Sequence, residues 1–142
     1  MSFLSFPDLN VWLALLLADH VHRATALRWW DRDESESIVF CRITQVGVLR
    51  LLTSSAAMNG KPLTMNQAWK AYDRLFADPR VGFLPEPASL EEPFRKSTAG
   101  GTPSPKLWAD AYLSAFAFRT GAAIVTFDRA LAARSSGSLL LE

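Results

Sequence analysis

Ile38-Val39-Phe40-Cys41 is the stretch that decides the fold class of this chain. Polar residues stand directly before and after these four apolar ones, including Arg42. An uninterrupted apolar run of this length is typical of a strand that is buried on both faces, as in a parallel sheet covered by helices. Val81 to Leu84 and Ala123 to Thr126 have the same character, and Ser2 to Phe6 predicts a first strand that ends at a turn.

Helical patterns separate these strands. The spacing of apolar residues predicts helices over residues 10–17, 22–32, 44–53, 64–77, 90–96, 105–120 and 129–134, and a last edge strand over 139–141. We expect Thr44 and Thr64 to be N-caps, and Ser104 to cap a helix with Pro105 at its first position. Short strands that alternate with helices predict an α/β fold of three layers, with a central parallel sheet of about four to five strands. A length of 142 residues fits one domain, over residues 1–142.

Composition excludes several classes of protein. The net charge of +1 means that no global positive field attracts nucleic acid, so any such contact depends on a local patch. The single cysteine, Cys41, cannot form an internal disulfide, which favours a reducing, cytoplasmic compartment. The apolar segment from Leu9 to Ala18 is too short to span a bilayer and has no basic segment before it. We therefore expect neither a membrane anchor nor a signal peptide.

Acidic residues occur where strands are predicted to end. Asp8 follows the first strand, with Asn10 two residues later, and Asp128 follows the strand Ala123 to Thr126. Asp110 lies in the second turn of the predicted helix 105–120, between small and apolar neighbours. Ligands of open α/β sheets bind at the carboxyl ends of the strands, so we expect the three acids to converge there. Asp8 and Asp128 also have a simpler role open to them, as helix N-caps.

A cluster of carboxylates favours one class of chemistry. Unpaired carboxylates repel one another, and a divalent cation offsets that repulsion. Hard oxygen ligands suit Mg²⁺ or Mn²⁺, and such an ion activates water and stabilises charge on a transferring phosphoryl group. Phosphodiester hydrolysis is the predicted reaction. Arg42, Lys106 and Arg129 stand near the strand ends and are candidates for contacts to RNA phosphates, or for local pairs with the acids.

Four segments resemble one protein family, in the order expected for it. The segment that begins Phe6-Pro7-Asp8-Leu9-Asn10 resembles the first strand and helix of PIN domains of the VapC toxin family. Similar matches are Phe40-Cys41-Arg42-Ile43-Thr44-Gln45, Trp108-Ala109-Asp110-Ala111-Tyr112-Leu113 and Ile124-Val125-Thr126-Phe127-Asp128-Arg129. Each motif is short, and the resemblance comes from the ordered set, which covers nearly the whole chain.

The resemblance implies a PIN-like α/β/α fold, a Mg²⁺-dependent endoribonuclease acting as a toxin, a small VapB-like antitoxin as partner, and a homodimer. It also implies that Asp8, Asp110 and Asp128 bind the metal and that Asn10 is the small polar residue after the first acid. The chain departs from the family pattern at Gln45, where many PIN domains have glutamate. An amide can hold a metal or a water through its carbonyl oxygen, but it adds no negative charge.

Two other functions remain open from the sequence. Gln45 also fits a degenerate PIN module that binds RNA or a protein without cleaving it. A phosphatase or phospho-acceptor domain that uses Asp8 is the weaker alternative, because such phosphatases usually carry a second aspartate where this chain has Asn10.

Overall fold

The computed structural model describes residues 3–142. Five strands and seven helices occur in this range: β1 Leu4–Pro7, α1 Leu9–Leu16, α2 Arg23–Arg32, β2 Ser37–Phe40, α3 Arg42–Leu52, α4 Met65–Leu75, β3 Val81–Phe83, α5 Glu91–Ser97, α6 Leu107–Thr120, β4 Ala123–Thr126, α7 Arg129–Arg134 and β5 Leu139–Leu140. Ser2, which the sequence pattern includes in the first strand, lies outside the described residues.

All five strands are parallel and form one sheet in the order β3-β2-β1-β4-β5. From β1 the chain proceeds outward through β2 to β3, and it then crosses to the other side of β1 to form β4 and β5. The register pairs Phe6 with Ile124 and Pro7 with Val125 in the two central strands. The point where the strand order reverses therefore lies between the carboxyl ends of β1 and β4, which is where open α/β sheets bind their ligands.

Helices cover both faces of the sheet, and each face has its own apolar core. Alternate residues of β2 and the residue after it supply the two cores: Ile38 and Phe40 face helices α1 to α4, whereas Val39 and Cys41 face helices α5 to α7. This alternation is the period of two that a strand imposes on its side chains. Trp12 stacks on Phe40 in the first core, with 3.9 Å between ring centroids. The predicted three-layer α/β/α fold with a parallel sheet is confirmed.

Several predicted helix starts were wrong. Thr44 is not the cap of α3; that helix begins at Arg42 after Cys41, and the Thr44 hydroxyl accepts a hydrogen bond from the Cys41 backbone N–H, 3.0 Å away. Helix α6 begins at Leu107 instead of Pro105, and Lys106 in the cap position makes no side-chain capping bond. Thr64 does cap α4, as predicted. Within residues 3–142, no helix combines the length and the apolar character needed to cross a membrane.

Candidate active site at the carboxyl end of the sheet

Asp8 stands at the carboxyl end of the central strand β1 and caps helix α1. Its Oδ1 accepts hydrogen bonds from the backbone N–H groups of Asn10 (3.0 Å) and Val11 (3.4 Å). Its Oδ2 accepts a hydrogen bond from the hydroxyl of Thr126, a fully buried residue of β4. Burial is the main cause that raises the pKa of Asp8, the charge of Asp128 adds to it, and the three hydrogen bonds oppose it.

Asp128 occupies the equivalent position on the neighbouring strand β4 and caps helix α7. Its Oδ1 accepts hydrogen bonds from the backbone N–H groups of Ala130 (2.8 Å) and Leu131 (3.2 Å). Its own N–H donates to the Thr126 hydroxyl oxygen at 2.9 Å. Thr126 therefore links the two strand-end acids, donating to one and accepting from the other. Asp128 Oδ2 has no hydrogen bond within residues 3–142, so it is available to a ligand.

Asp110 approaches from helix α6 and lies in its first turn, not in the second turn as predicted, because the helix begins two residues later than expected. The carboxylate is half-buried and has no hydrogen-bond partner in the described part of the chain. Burial is the largest cause that raises its pKa, and the charge of Asp128 raises it further, whereas Arg134 lowers it. The charge of Asp128 thus raises the pKa of both other acids.

The three carboxylates are near one another without forming a closed set of ligands. Within residues 3–142, no three Asp, Glu, His or Cys side chains stand close enough together to hold one metal ion by themselves. Both strand-end acids use one oxygen to cap a helix. The donors nevertheless suit Mg²⁺, since this ion is usually bound by one or two carboxylates and completes its shell with waters and substrate phosphates.

Gln45, the residue at the usual glutamate position, is bound at both ends by protein groups. Arg42 Nη1 donates to its Oε1 at 2.6 Å, and its Nε2 donates to the hydroxyl of Tyr72 at 3.3 Å. The guanidinium of Arg42 also lies over the ring of Phe83, 4.6 Å from its centroid. The buried amide therefore fixes Arg42 beside the end of β2. Asn10 is exposed, and its side-chain amide makes no hydrogen bond within the described residues.

The other two candidate cations are placed differently. Lys106 is exposed at the start of α6 and has no ion pair inside residues 3–142. Arg129 forms an exposed ion pair with Glu142 at 2.8 Å. Exposed pairs of this kind contribute about 0–1 kcal/mol, so the pair with Glu142 restrains Arg129 only weakly.

Comparison with known proteins identifies the family. The PIN domain model matches residues 5–135. Ribonuclease VapC41 of Mycobacterium tuberculosis is 41% identical over 128 residues, which cover 87% of this chain and 88% of that protein. The chain is a PIN-domain protein of the VapC family. This match confirms the resemblance drawn from the four sequence motifs.

Solved structures of VapC-type proteins have the same fold. The crystal structure of VapC20 of Mycobacterium tuberculosis, a Sarcin-Ricin loop cleaving toxin, has a TM-score of 0.62 at 19% identity and covers 90% of this chain and 92% of that one. VapBC2 from Rickettsia felis, bound to a DNA fragment from its promoter, has a TM-score of 0.61 at 12% identity and covers 98% and 99%. At these identities the likeness shows the PIN fold alone.

Several groups of this VapC-family site were missed by sequence reasoning. Thr126 bridges the two strand-end acids, Tyr72 holds Gln45, and Arg134 acts on Asp110. The hydroxyl of Tyr112 donates to Glu86 at 2.8 Å, just after β3, which raises the pKa of Tyr112 further beyond the effect of its burial. Thr126 had a usable signal, because it is the last residue of a predicted strand. Tyr72 and Glu86 had none, since each contact joins residues more than 25 positions apart.

Proposed function

We propose that this chain is a Mg²⁺-dependent endoribonuclease, with Mn²⁺ as a possible substitute, and the toxin of a type II VapBC-like pair in the cytoplasm. The observation that carries the proposal is the placement of Asp8 and Asp128. They flank the switch point of the sheet and share the hydroxyl of Thr126, and Asp128 acts electrostatically on Asp110. The name of the ribonuclease relative VapC41 and the described activity of VapC20 support the same reaction class.

The acids would hold the ion, and the neighbouring residues would orient the RNA. Asp8, Asp110 and Asp128 are the proposed ligands. A divalent ion held by these acids would act as a Lewis acid for the phosphoryl oxygens of the RNA and would lower the pKa of a bound water. Asn10 has a free amide that can position a ligand or a water. Gln45 acts through Arg42, which it fixes beside the site.

Local cations would bind the RNA backbone. Arg42 lies just after β2, Lys106 lies just before α6, and Arg129 is the first residue of α7. Contacts of such residues to phosphates position a nucleic acid without reading its sequence. Because the whole chain carries a net charge of only +1, these few residues supply the attraction. We expect RNA binding that weakens as salt rises.

Cleavage of RNA by the purified, antitoxin-free chain tests the proposal. We expect cleavage with Mg²⁺ and none after chelation. Asp8→Asn and Asp110→Asn should lower the rate by about 100-fold or more, because they remove ligands of an ion that contributes several kcal/mol. Asp73→Asn changes an exposed acid on α4 and is the matched control, with an unchanged rate expected. Equal cutting by the wild type and both site variants would overturn the assignment.

A VapB-like antitoxin and a second copy of the chain are the proposed protein partners. The Rickettsia felis VapBC2 assembly supports the first. Val46, Met65 and Trp69 are exposed around an apolar groove between α3 and α4, which supports a protein contact on this surface. Light scattering on the chain alone and after co-expression with its antitoxin measures both associations. A monomer in both samples would contradict them.

A catalytically degenerate PIN module is the second candidate. The engagement of both ends of Gln45 by Arg42 and Tyr72 favours it, because no carboxylate stands at that position. Titration with Mn²⁺ by calorimetry separates the two candidates. The nuclease requires binding of the ion, whereas absence of binding by the folded chain supports the degenerate module.

A further inference from the structure

Trp108 is an aromatic side chain that the fold holds in place but leaves open to solvent. It lies in the first turn of α6 and is 58% exposed, the most exposed of the five tryptophans. Phe94 of α5 packs against it at 6.1 Å between ring centroids with an interplanar angle of 68°. Phe94 in turn packs on Tyr112 at 5.8 Å. The indole is therefore positioned by an edge contact while most of its surface stays uncovered.

A cavity lies beside the indole. It has a volume of about 390 Å³ and is formed by the loop before α6, with Gly100, Thr102, Ser104 and Pro105 among its walls and Trp108 as its aromatic side. The hydroxyls of Thr102 and Ser104 make no side-chain hydrogen bond within residues 3–142. The volume falls in the range of roughly 300–1,000 Å³ that small-ligand sites occupy. Unpaired nucleobases stack on aromatic side chains and are hydrogen-bonded along their edges, and hydroxyls can donate and accept such bonds.

This cavity and the candidate active site lie on opposite sides of the start of α6. Trp108 and Asp110 are two residues apart on α6, which is about 3 Å along the helix axis and about 200° around it. Trp108 shares its face with Tyr112, whose hydroxyl bonds to Glu86 after β3, whereas Asp110 interacts with Asp128 after β4. A strand of RNA that crosses the start of α6 therefore meets the indole on one side of the helix and the acids on the other. Lys106 precedes both and can neutralise a phosphate between them.

We infer that Trp108 and the loop of residues 97–105 form a subsite for an unpaired base of the RNA, across the start of α6 from the acidic site. The inference rests on the proposed function and adds a determinant of substrate choice to it. Stacking on Trp108 supplies the affinity, and the hydroxyls of Thr102 and Ser104 discriminate between base edges. The subsite selects single-stranded or looped RNA, because a base in a duplex cannot stack on the indole.

Binding of short single-stranded RNA to the full chain in EDTA, which prevents metal-dependent cleavage, tests the subsite. Fluorescence anisotropy measures the Kd for a labelled oligonucleotide and for a set in which one position at a time is abasic. Trp108→Ala should weaken binding roughly 5- to 150-fold, the equivalent of ~1–3 kcal/mol for one stacked base. Trp108→Phe should retain most of the affinity. Phe118→Ala removes another exposed aromatic residue of α6 and should leave the Kd unchanged.

The abasic set shows whether a base is the ligand. In the wild type, one abasic position should weaken binding, and in Trp108→Ala that same position should no longer matter. Equal Kd values for wild type and Trp108→Ala, or an abasic effect that persists in the variant, would overturn the inference. So would a Trp108→Ala chain that loses only antitoxin binding. If the wild type fails to cleave RNA with Mg²⁺ but Trp108-dependent binding is present, the proposed function fails and the subsite stands.

Discussion

Replacing Thr126 with valine tests the link between the two strand-end acids. Valine keeps the shape of threonine but removes the hydroxyl, which donates to Asp8 and accepts from the N–H of Asp128. A hydrogen bond to a charged group contributes about 1.5–3 kcal/mol, and the partly buried N–H of Asp128 would lose its acceptor at a cost of about 1 kcal/mol. We expect Thr126→Val to lower the free energy of unfolding by ~3 kcal/mol. For a domain of this size that corresponds to a fall in Tm of about 10 °C.

The same variant should shift the pH dependence of cleavage. The hydrogen bond from Thr126 lowers the pKa of Asp8, so its removal raises that pKa further above the ordinary value. Protonated Asp8 cannot hold a cation, and the acidic limb of the pH–rate profile should therefore move to higher pH. Thr126→Ser is the control: it keeps the hydroxyl and loses one methyl group, at a cost of about 1 kcal/mol.

Urea unfolding and cleavage rates from about pH 4 to pH 8 measure both effects. If Thr126→Val matches Thr126→Ser in stability and in the position of the acidic limb, the hydroxyl does not link the acids and the reasoning is refuted.

Three further predictions concern stability and metal binding. Burial raises the pKa of Asp8 above 3.8, so the folded chain binds this proton more tightly than the unfolded chain, and the contribution of Asp8 to the free energy of unfolding should fall as pH rises from 3.8 through the raised pKa. Urea titrations of wild type and Asp8→Asn measure this contribution as the difference between the two, and a difference that stays constant with pH would contradict it. Arg80 donates to the carbonyls of Trp30 (3.0 Å) and Asp33 (3.1 Å) and pairs with Asp78. Arg80→Met should lower the free energy of unfolding by about 2–3 kcal/mol with only partial rescue by Arg80→Lys, and an unchanged denaturation midpoint would refute this role. Gln45→Glu should leave the Kd for Mn²⁺ unchanged within about twofold, because the side-chain oxygen of residue 45 faces Arg42. If calorimetry shows that Mn²⁺ binds the variant tighter by about tenfold or more, residue 45 is a metal ligand instead.

The elements that depend on local patterns could be predicted from the sequence. Apolar runs located the strands, and the positions of Asp8 and Asp128 followed from the ends of β1 and β4. Both residues have a double role, since each caps a helix as the simpler interpretation proposed and also stands at the switch point. The capping role is confirmed and does not exclude the metal-binding role, because a strand that runs directly into a helix puts its last acid both at the helix start and at the end of the sheet.

Contacts between distant parts of the chain could not be predicted. Thr44 looked like a helix cap, but α3 begins earlier and Cys41 is in the cap position. Thr44 is the third residue of the helix, and its hydroxyl accepts a hydrogen bond from the backbone N–H of Cys41. The packing of α4 against α3 placed Tyr72 beside Gln45 and so engaged the amide that the sequence left available. The contact of Tyr72 with Gln45 depends on packing between two helices, which the spacing of residues along one chain does not encode.

The capping role of the two strand-end aspartates limits how the protein can lose activity and still fold. Asparagine also caps helices well, so Asp8→Asn and Asp128→Asn keep the starts of α1 and α7, whereas alanine at either place costs about 0.5–2 kcal/mol. A single exchange of one carboxylate for an amide thus separates toxicity from folding. Cells selected to survive expression of this chain should therefore yield soluble asparagine variants at 8 and 128 that still capture the antitoxin, and few alanine variants that do so.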